Sequence, residues 1–472
     1  MKRTKIVATI GPSSASKDTL KDMISSGLNV CRINFSHGSY SDHAKVIKSV
    51  RELNEELNSN VAILADLQGP KIRTGEMQEG GLDLVTGASI TIQTLDVIGS
   101  KNSFSINYEK LPEDVEPGEL ILLDDGKLML EVDSSDGKSK IMCKIIQGGI
   151  LYSNKGVNFP NTKISLPSLT QKDEHDLDFA IAQDVDWIGL SFVRTAKDIV
   201  DLKHRISAQG GKARVIAKIE KPEALACIDD IVQVSDGMMV ARGDLGVEIP
   251  YQNVPLTQKM LINKGIQYAK PVIVATQMME SMISQITPTR AEVNDVANAV
   301  LDGADAVMLS GETSVGNYPV EVINAMAKII REMELDEKIY SKEQPAKKNQ
   351  ERFISDSVCY NACRLAQRVE VDAIITMSFS GYTAYKIASQ RPRAGIYVFT
   401  SNRKILTQLN LVWGVSAFYY NKQISTDHTI SDIKDFMISN GYLKKGDLYI
   451  NIASIPLEDL GSSNMLKLSQ VD

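Results

Sequence analysis

The chain reads as an α/β protein in which a (β/α)8 barrel is interrupted by a small all-β lid domain and followed by a C-terminal α/β domain. Three observations carry that reading. Eight apolar runs of strand length alternate with sequence of helical period. Between the third and fourth runs, short alternating segments replace the helices. After the eighth, a hydrophilic stretch precedes a second alternating unit.

The first three runs lie in TKIVATIG, VCRINFSHG and VAILADLQG, separated by the helical stretch KDTLKDMISSG and by a charged helix from Ser41 to about Leu57. Strands joined through helices argue for a parallel sheet. From about Pro70 to Pro167 the pattern changes to ASITIQT, SFSINY, LILLDDGKLMLEV and KIMCKII, broken by Gly, Asp and Pro, as in an all-β insert. The alternation resumes in DWIGLSFVR, RVIAKIE, GMMVARGDLG, PVIVATQM and DAVMLSGET. Eight parallel strands, each followed by helical sequence, close a TIM barrel, whereas an open doubly wound sheet more often stops at about five or six. The stretch SKEQPAKKNQER (341–352) reads as a linker, and beyond it a helix and the strands VDAIITM and AGIYVFT open the last unit. The expected boundaries are 1–69 and 168–342 for the barrel, 70–167 for the lid and 343–472 for the C-terminal regulatory domain.

A chain of 472 residues exceeds what one hydrophobic core usually holds, so two or three domains are expected. With 43% apolar and 24% charged residues the composition is that of ordinary globular proteins. The net charge of −7 argues against a nucleic-acid or membrane partner, because such proteins meet phosphate with a basic surface. An anionic ligand must therefore find a local positive site. The apolar run at the start is too short for a signal peptide, and no stretch approaches a membrane span. Five scattered cysteines without a C-x-x-C pair fit a reducing cytoplasm. Two of them, Cys359 and Cys363, fall four apart in a helical pattern and read as thiols on a buried helix face.

In such barrels the active site forms at the carboxyl ends of the strands. Read to their ends, the runs deliver Arg32 and Asn34, Asp66, Ser191 and Arg194, Lys218 and Glu220, Arg242 and Asp244, Thr276 and Gln277, and Ser310 and Glu312. Any one of these could simply cap the barrel; so many on one rim argue for a site. Lys218 and Glu220 alternate along IAKIE and share a side of their strand, and Asp244 arrives from the next. Two carboxylates with room for water and substrate oxygens suit Mg2+, while the five histidines show no zinc spacing. A lysine beside a metal can form a Schiff base, the second reading of Lys218. With Arg32 and Arg73 it forms instead a clamp for phosphoryl charge.

CRINFSHG (31–38), GPKIRTG (69–75), IAKIEKPEAL (216–225), MMVARGDLGVEIP (238–250), ATQMMESM (275–282), PTRAEVNDVANAV (288–300) and MLSGETSVGNYP (308–319) together resemble the pyruvate kinase family, in that family's order. The resemblance implies the same layout, usually assembled as an allosteric homotetramer in the cytoplasm. It also implies the last step of glycolysis: transfer of the phosphoryl group of phosphoenolpyruvate to ADP, giving pyruvate and ATP, with Mg2+ as cofactor and Mn2+ as its substitute. Matched motif by motif, Glu220 and Asp244 would hold the metal, Lys218 would neutralise the moving phosphoryl group, and Arg32 would bind it. Gly243, Asp244 and Thr276 would meet the substrate's carboxylate end, and Thr276 with a water chain is the family's usual proton path. Asn34, Ser36, His37, Arg73 and, from KGVNFP in the lid, Lys155 would serve the nucleotide.

Two departures from the family pattern are informative. Lys71 stands where many members have glutamate and need K+ beside the transferred phosphoryl; with Leu67 and Gln68 it resembles the lysine-bearing subgroup, so K+ is expected not to be required. Asn34, Ser36 and Asp66, which match the family's K+ ligands, nevertheless remain. In the last unit, SFSGYTAYKIASQRP places Ser378, Ser380, Gly381 and Thr383 in a turn leading into a helix, where the family binds phosphorylated effectors. Phe379 and Tyr382 replace residues commonly basic in members regulated by fructose 1,6-bisphosphate, which predicts weak or no activation by that sugar, with a monophosphate effector or none in its place. The competing readings are a Mg2+-enolate lyase or mutase on the same barrel, and a non-enzymatic regulatory paralogue. The lid with KGVNFP and MLSGET argues against the first, and the presence of Lys218, Glu220, Asp244 and Thr276 against the second.

Overall fold

In a computed structural model, the structure describes residues 2–422, 425–455 and 462–472. Eight strands close a parallel barrel among these residues: β1 (Lys5–Thr9), β2 (Val30–Asn34), β3 (Ala62–Asp66), β4 (Trp187–Leu190), β5 (Arg214–Ile219), β6 (Gly237–Ala241), β7 (Val272–Ala275) and β8 (Ala306–Leu309). Pairing of β1 with β8, in the register Lys5↔Ala306 to Ala8↔Leu309, closes the ring. Every residue of β1, β3 and β6 is buried. These strands are continuous apolar runs because helices cover one face and the barrel interior the other. Several of the covering helices start where the sequence supplies a cap. Thr170 with Asp173, and Thr289 with Glu292, form reciprocal capping boxes that satisfy the free N–H groups of the first turn.

Between β3 and β4 the chain builds a six-stranded sheet and a separate two-stranded pair, counted among the described residues. This unit has its own core around Ile90, Phe104, Leu130 and Ile141. It also contains one parallel pair, Ser89–Gln93 with Ser103–Ser105, and a four-residue helix, Leu111–Asp114, neither of which the alternating pattern announces.

After residues 341–352, which form neither helix nor strand, the last unit opens on the helix Phe353–Arg368, whose Cys359 and Cys363 are buried thiols as expected. Its sheet runs in the order Val415–Tyr419, Gly395–Thr400, Ala373–Met377, Leu448–Ala453 and Met465–Gln470, with the last strand antiparallel. One face packs Ile374, Ile396, Trp413 and Ile450 into the same core as the barrel; the other packs Ile375, Phe399 and Met437 separately. The amino-terminal pole of the barrel is thus sealed by this unit. Arg391, 1% exposed, pairs with Asp305 at 2.9 Å across the seam. Among the described residues no helix is long and apolar enough to cross a membrane.

Candidate active site

At the carboxyl end of the barrel, Arg32 of β2, Asp66 of β3 and Lys218 of β5 meet as one charged group. Arg32 donates through Nε to Asp66 at 2.6 Å and through Nη1 to Thr9 Oγ1 at 2.7 Å. Lys218 Nζ lies 3.1 Å from Asp66 Oδ1 and 3.1 Å from Glu220 Oε1, and donates to Ser191 Oγ at 2.6 Å. Burial pushes the Asp66 carboxyl up, but Lys218 and Arg32 outweigh it and hold the group below the usual carboxylate range. At Lys218, burial favours the neutral amine, yet Asp66 and Glu220 prevail and keep the ammonium charged well above its ordinary value. With its ammonium engaged by Asp66, Glu220 and Ser191, Lys218 is held as a cation, which favours charge neutralisation over the Schiff-base reading.

Glu220, just beyond β5, accepts the N–H of Phe192 at 2.7 Å. Phe192 holds φ at +53°, an uncommon conformation for a bulky residue, and that turn aims its N–H at the carboxylate. Asp244 lies in the first turn of the helix Arg242–Glu248, and Lys71 Nζ sits 3.0 Å from its Oδ1. Burial raises Glu220, Lys218 opposes that, Asp244 adds to it, and the net result is a carboxyl held above its ordinary value. A buried acid raised by a second acid is a site short of positive charge, which a divalent cation relieves. Among the described residues no three His, Cys, Asp or Glu side chains are grouped as metal ligands. Two carboxylates with substrate and water oxygens are what Mg2+ accepts.

Thr276 and Gln277 follow β7 with φ of +72° and +54°. A β-branched residue in that region is strained, and its surroundings hold it there. Arg242, clamped by both oxygens of Asp295 at 2.6 and 2.7 Å, donates to Thr276 O at 2.6 Å. Gly243 N donates to Thr276 Oγ1 at 2.8 Å. Arg242, read from sequence as a rim cation, is therefore a brace. Beside these groups opens a cavity of about 590 Å3 lined by Lys71, Asp125, Gly243, Asp244 and Gln277.

The remaining rim residues divide. Asn34 Oδ1 accepts the N–H of Ser36 at 3.1 Å, and His37 is exposed. Arg73 donates to Asn154 O at 3.1 Å and Lys155 pairs with Asp124 at 3.0 Å, so both are held by the lid's own turns. Arg194 turns away to the lid connection, bonding Ile164 O and Leu166 O. Glu312 accepts from Met279 N and Ser310 N, which makes it a local cap. Thr9 and Glu248 were missed by the sequence reading, because the residues they bind are remote in the chain.

In the last unit, Ser378 Oγ accepts from Gly381 N at 3.0 Å and Ser380 Oγ from Tyr382 N at 3.4 Å. Thr383 is buried and shares a hydrogen bond with Ser463 at 2.9 Å. Phe379 and Tyr382 are not basic, yet cations lie alongside: Lys386 is four residues beyond Tyr382 on the same helix, and the fold adds Arg352 and Arg214, the latter donating to Ser380 O at 2.8 Å. Arg352 stacks 4.4 Å from the centre of the Tyr382 ring, and Lys386 pairs with Asp356 at 2.9 Å.

Comparison with known proteins gives a consistent picture. Residues 1–323 match the family model described as pyruvate kinase, barrel domain, and residues 356–469 the one described as pyruvate kinase, alpha/beta domain. The chain is 41% identical to a pyruvate kinase of Clostridium acetobutylicum, with all of both chains covered. It is 43% identical to one of Corynebacterium efficiens, covering 98% of this chain and 97% of that protein. It is 42% identical to one of Geobacillus stearothermophilus, covering 99% of this chain and 80% of that protein.

Proposed function

The chain belongs to the pyruvate kinase family, and from that premise we propose how its barrel mouth transfers the phosphoryl group of phosphoenolpyruvate to ADP, giving pyruvate and ATP. The observation that carries the roles is the buried group in which Lys218 lies 3.1 Å from both Asp66 and Glu220. Phosphoryl transfer needs little covalent help and much positioned positive charge. Lys218, kept protonated by its two carboxylates, neutralises the phosphoryl group as it moves. Arg32, fixed by Asp66 and Thr9, binds its oxygens.

Glu220 and Asp244 hold Mg2+ or Mn2+, which when bound supplies Lewis-acid charge to the substrate oxygens. Gly243 and Thr276 receive the carboxylate end, and Thr276 stands on the proton path to the enolate. Asn34, Ser36, His37 and Arg73 serve the nucleotide with Lys155, brought by the lid, whose closure excludes water. Lys71 supplies the charge that K+ gives other members. In support, its ammonium already reaches Asp244, while the candidate ion ligand Asp66 is engaged by Arg32 and Lys218.

The division at residues 69/70, 167/168 and 342/343, a cytoplasmic location and a homotetramer complete the reading. Tyr251, Leu256, Ile286 and Ile354, large apolar side chains left exposed, support assembly with further copies. The turn Ser378–Ser380–Gly381 with Thr383 is the effector loop, taking a monophosphate or no effector.

A coupled assay of ATP formation from phosphoenolpyruvate and ADP tests this directly, with Mg2+ present and tetramethylammonium as the monovalent cation. Full turnover without K+, abolished by chelation, is the expected result. A many-fold fall on replacing K+ overturns the role of Lys71, and no ATP under any cation favours a lyase.

A further inference from the structure

The two chain connections to the lid run side by side over a cavity of about 30 Å3, lined by Pro70, Ile72, Asn158, Arg194 and Glu248 among others. Into this hinge projects a carboxylate that the proposed chemistry does not use. Glu248 ends the helix Arg242–Glu248, and its side chain is 0% exposed. Its Oε1 accepts from Lys221 Nζ at 2.6 Å and from Asn158 Nδ2 at 2.8 Å, and its Oε2 is buried without a hydrogen-bond partner among the described residues.

Each group on this carboxylate belongs to a different working part. The helix that Glu248 ends carries Asp244 in its first turn. Lys221 is the residue after Glu220. Asn158 lies on the lid strand Val157–Asn158, three residues beyond Lys155. A buried carboxylate is tolerated only while its hydrogen bonds are made. Lifting the lid withdraws the Asn158 amide and leaves Lys221 as the remaining donor, so this bond biases the lid toward its seated position.

We propose that Glu248 is a positioning residue that couples the seating of the lid, through Asn158, to the placement of both metal-binding carboxylates, through Lys221 and its own helix. The proposal rests on the reading of Glu220 and Asp244 as the Mg2+ ligands and of Lys155 as a nucleotide contact. Arg194, the other tether of the hinge, holds lid backbone carbonyls through its guanidinium and meets the metal side only along the chain, two residues beyond Phe192, whose N–H reaches Glu220.

The test uses the full chain and the variants Asn158→Ala, Glu248→Gln and their combination, with Mn2+ binding measured by electron paramagnetic resonance beside steady-state kinetics. Loss of the lid bond should raise KM for ADP about tenfold, the equivalent of one charge-assisted hydrogen bond, and, because coupling is reciprocal, should weaken Mn2+ binding with it. Glu248→Gln should raise KM for ADP similarly and also weaken Mn2+ binding, and the double variant should match Glu248→Gln in KM for ADP. Should Glu248→Gln not fold, Lys221→Met takes its place, with weakened Mn2+ binding expected. Wild-type KM for ADP in Asn158→Ala, multiplying effects in the double variant, or a lowered melting temperature as the sole change would overturn the coupling. Glu220→Gln separates the two readings: unchanged Mn2+ binding there removes the metal assignment and the metal half of the proposal with it. Failure confined to Asn158→Ala removes the coupling and leaves the metal site standing.

Discussion

Two buried lysines show how the surroundings of one side chain decide its chemistry. Lys5 on β1 is 6% exposed and Lys218 on β5 is 9% exposed. Burial lowers the proton affinity of both, because the ammonium loses its hydration. At Lys218 two contacting carboxylates reverse that; at Lys5, whose Nζ donates to Val415 O at 2.8 Å, burial outweighs the more distant Glu334 and Asp305, and the group falls to about 8. Below about 8 Lys5 is charged in the folded and unfolded chain alike, and burying the charge costs stability. Between about 8 and the ordinary 10.5 the folded chain releases the proton first, so stability rises with pH. Wild type should therefore gain on Lys5→Met, on the order of 3 kcal/mol across that window. Urea midpoints of both proteins at neutral and alkaline pH check it, and a pH-independent difference would contradict the burial of a charge at Lys5. Single residues were legible in the sequence when strand spacing exposed them, as with Lys218, Glu220 and Asp244. Thr9 and Glu248 were not, since their partners Arg32 and Asn158 stand 23 and 90 residues away in the chain.

At the scale of elements, all eight barrel strands were readable, because each is a buried run bounded by polar turns. What local period cannot encode is the partner of a strand. The parallel pair inside the lid and the antiparallel strand Met465–Gln470 are set by long-range packing. The same limit applies to the turn before the helix Tyr382–Ser389. Its residues read as a phosphate cradle with Phe379 and Tyr382 in place of cations; Lys386 lies four residues beyond Tyr382 on the same helix, whereas Arg352 arrives from the start of the helix Phe353–Arg368. Tyr382 spends its hydroxyl on Asp356 at 2.6 Å, and Lys386 is committed to the same carboxylate. No residue from Ser378 to Thr383 is itself basic, and of the neighbouring cations Lys386 is held by Asp356 and Arg214 donates to Ser380 O, which leaves a second phosphate few partners in the turn. Fructose 1,6-bisphosphate should accordingly activate weakly or not at all, whereas a sugar monophosphate can still be held. Initial rates at subsaturating phosphoenolpyruvate decide the matter, and strong activation by micromolar bisphosphate would contradict it.

Across the whole molecule, a net charge of −7 coexists with a mouth that gathers Arg32, Lys71 and Lys218 within reach of three carboxylates. The lid keeps a core of its own, while the last unit shares one with the barrel, so the hydrophilic stretch 341–352 separates the two in sequence and not in packing. On the proposed roles, Lys218, poised between Asp66 and Glu220, carries the transferred phosphoryl charge. The most direct measurement is the turnover of Lys218→Met in the coupled assay, beside its circular dichroism. The expected result is a native spectrum with transfer reduced roughly a thousandfold. Near wild-type turnover in the folded variant would contradict the account.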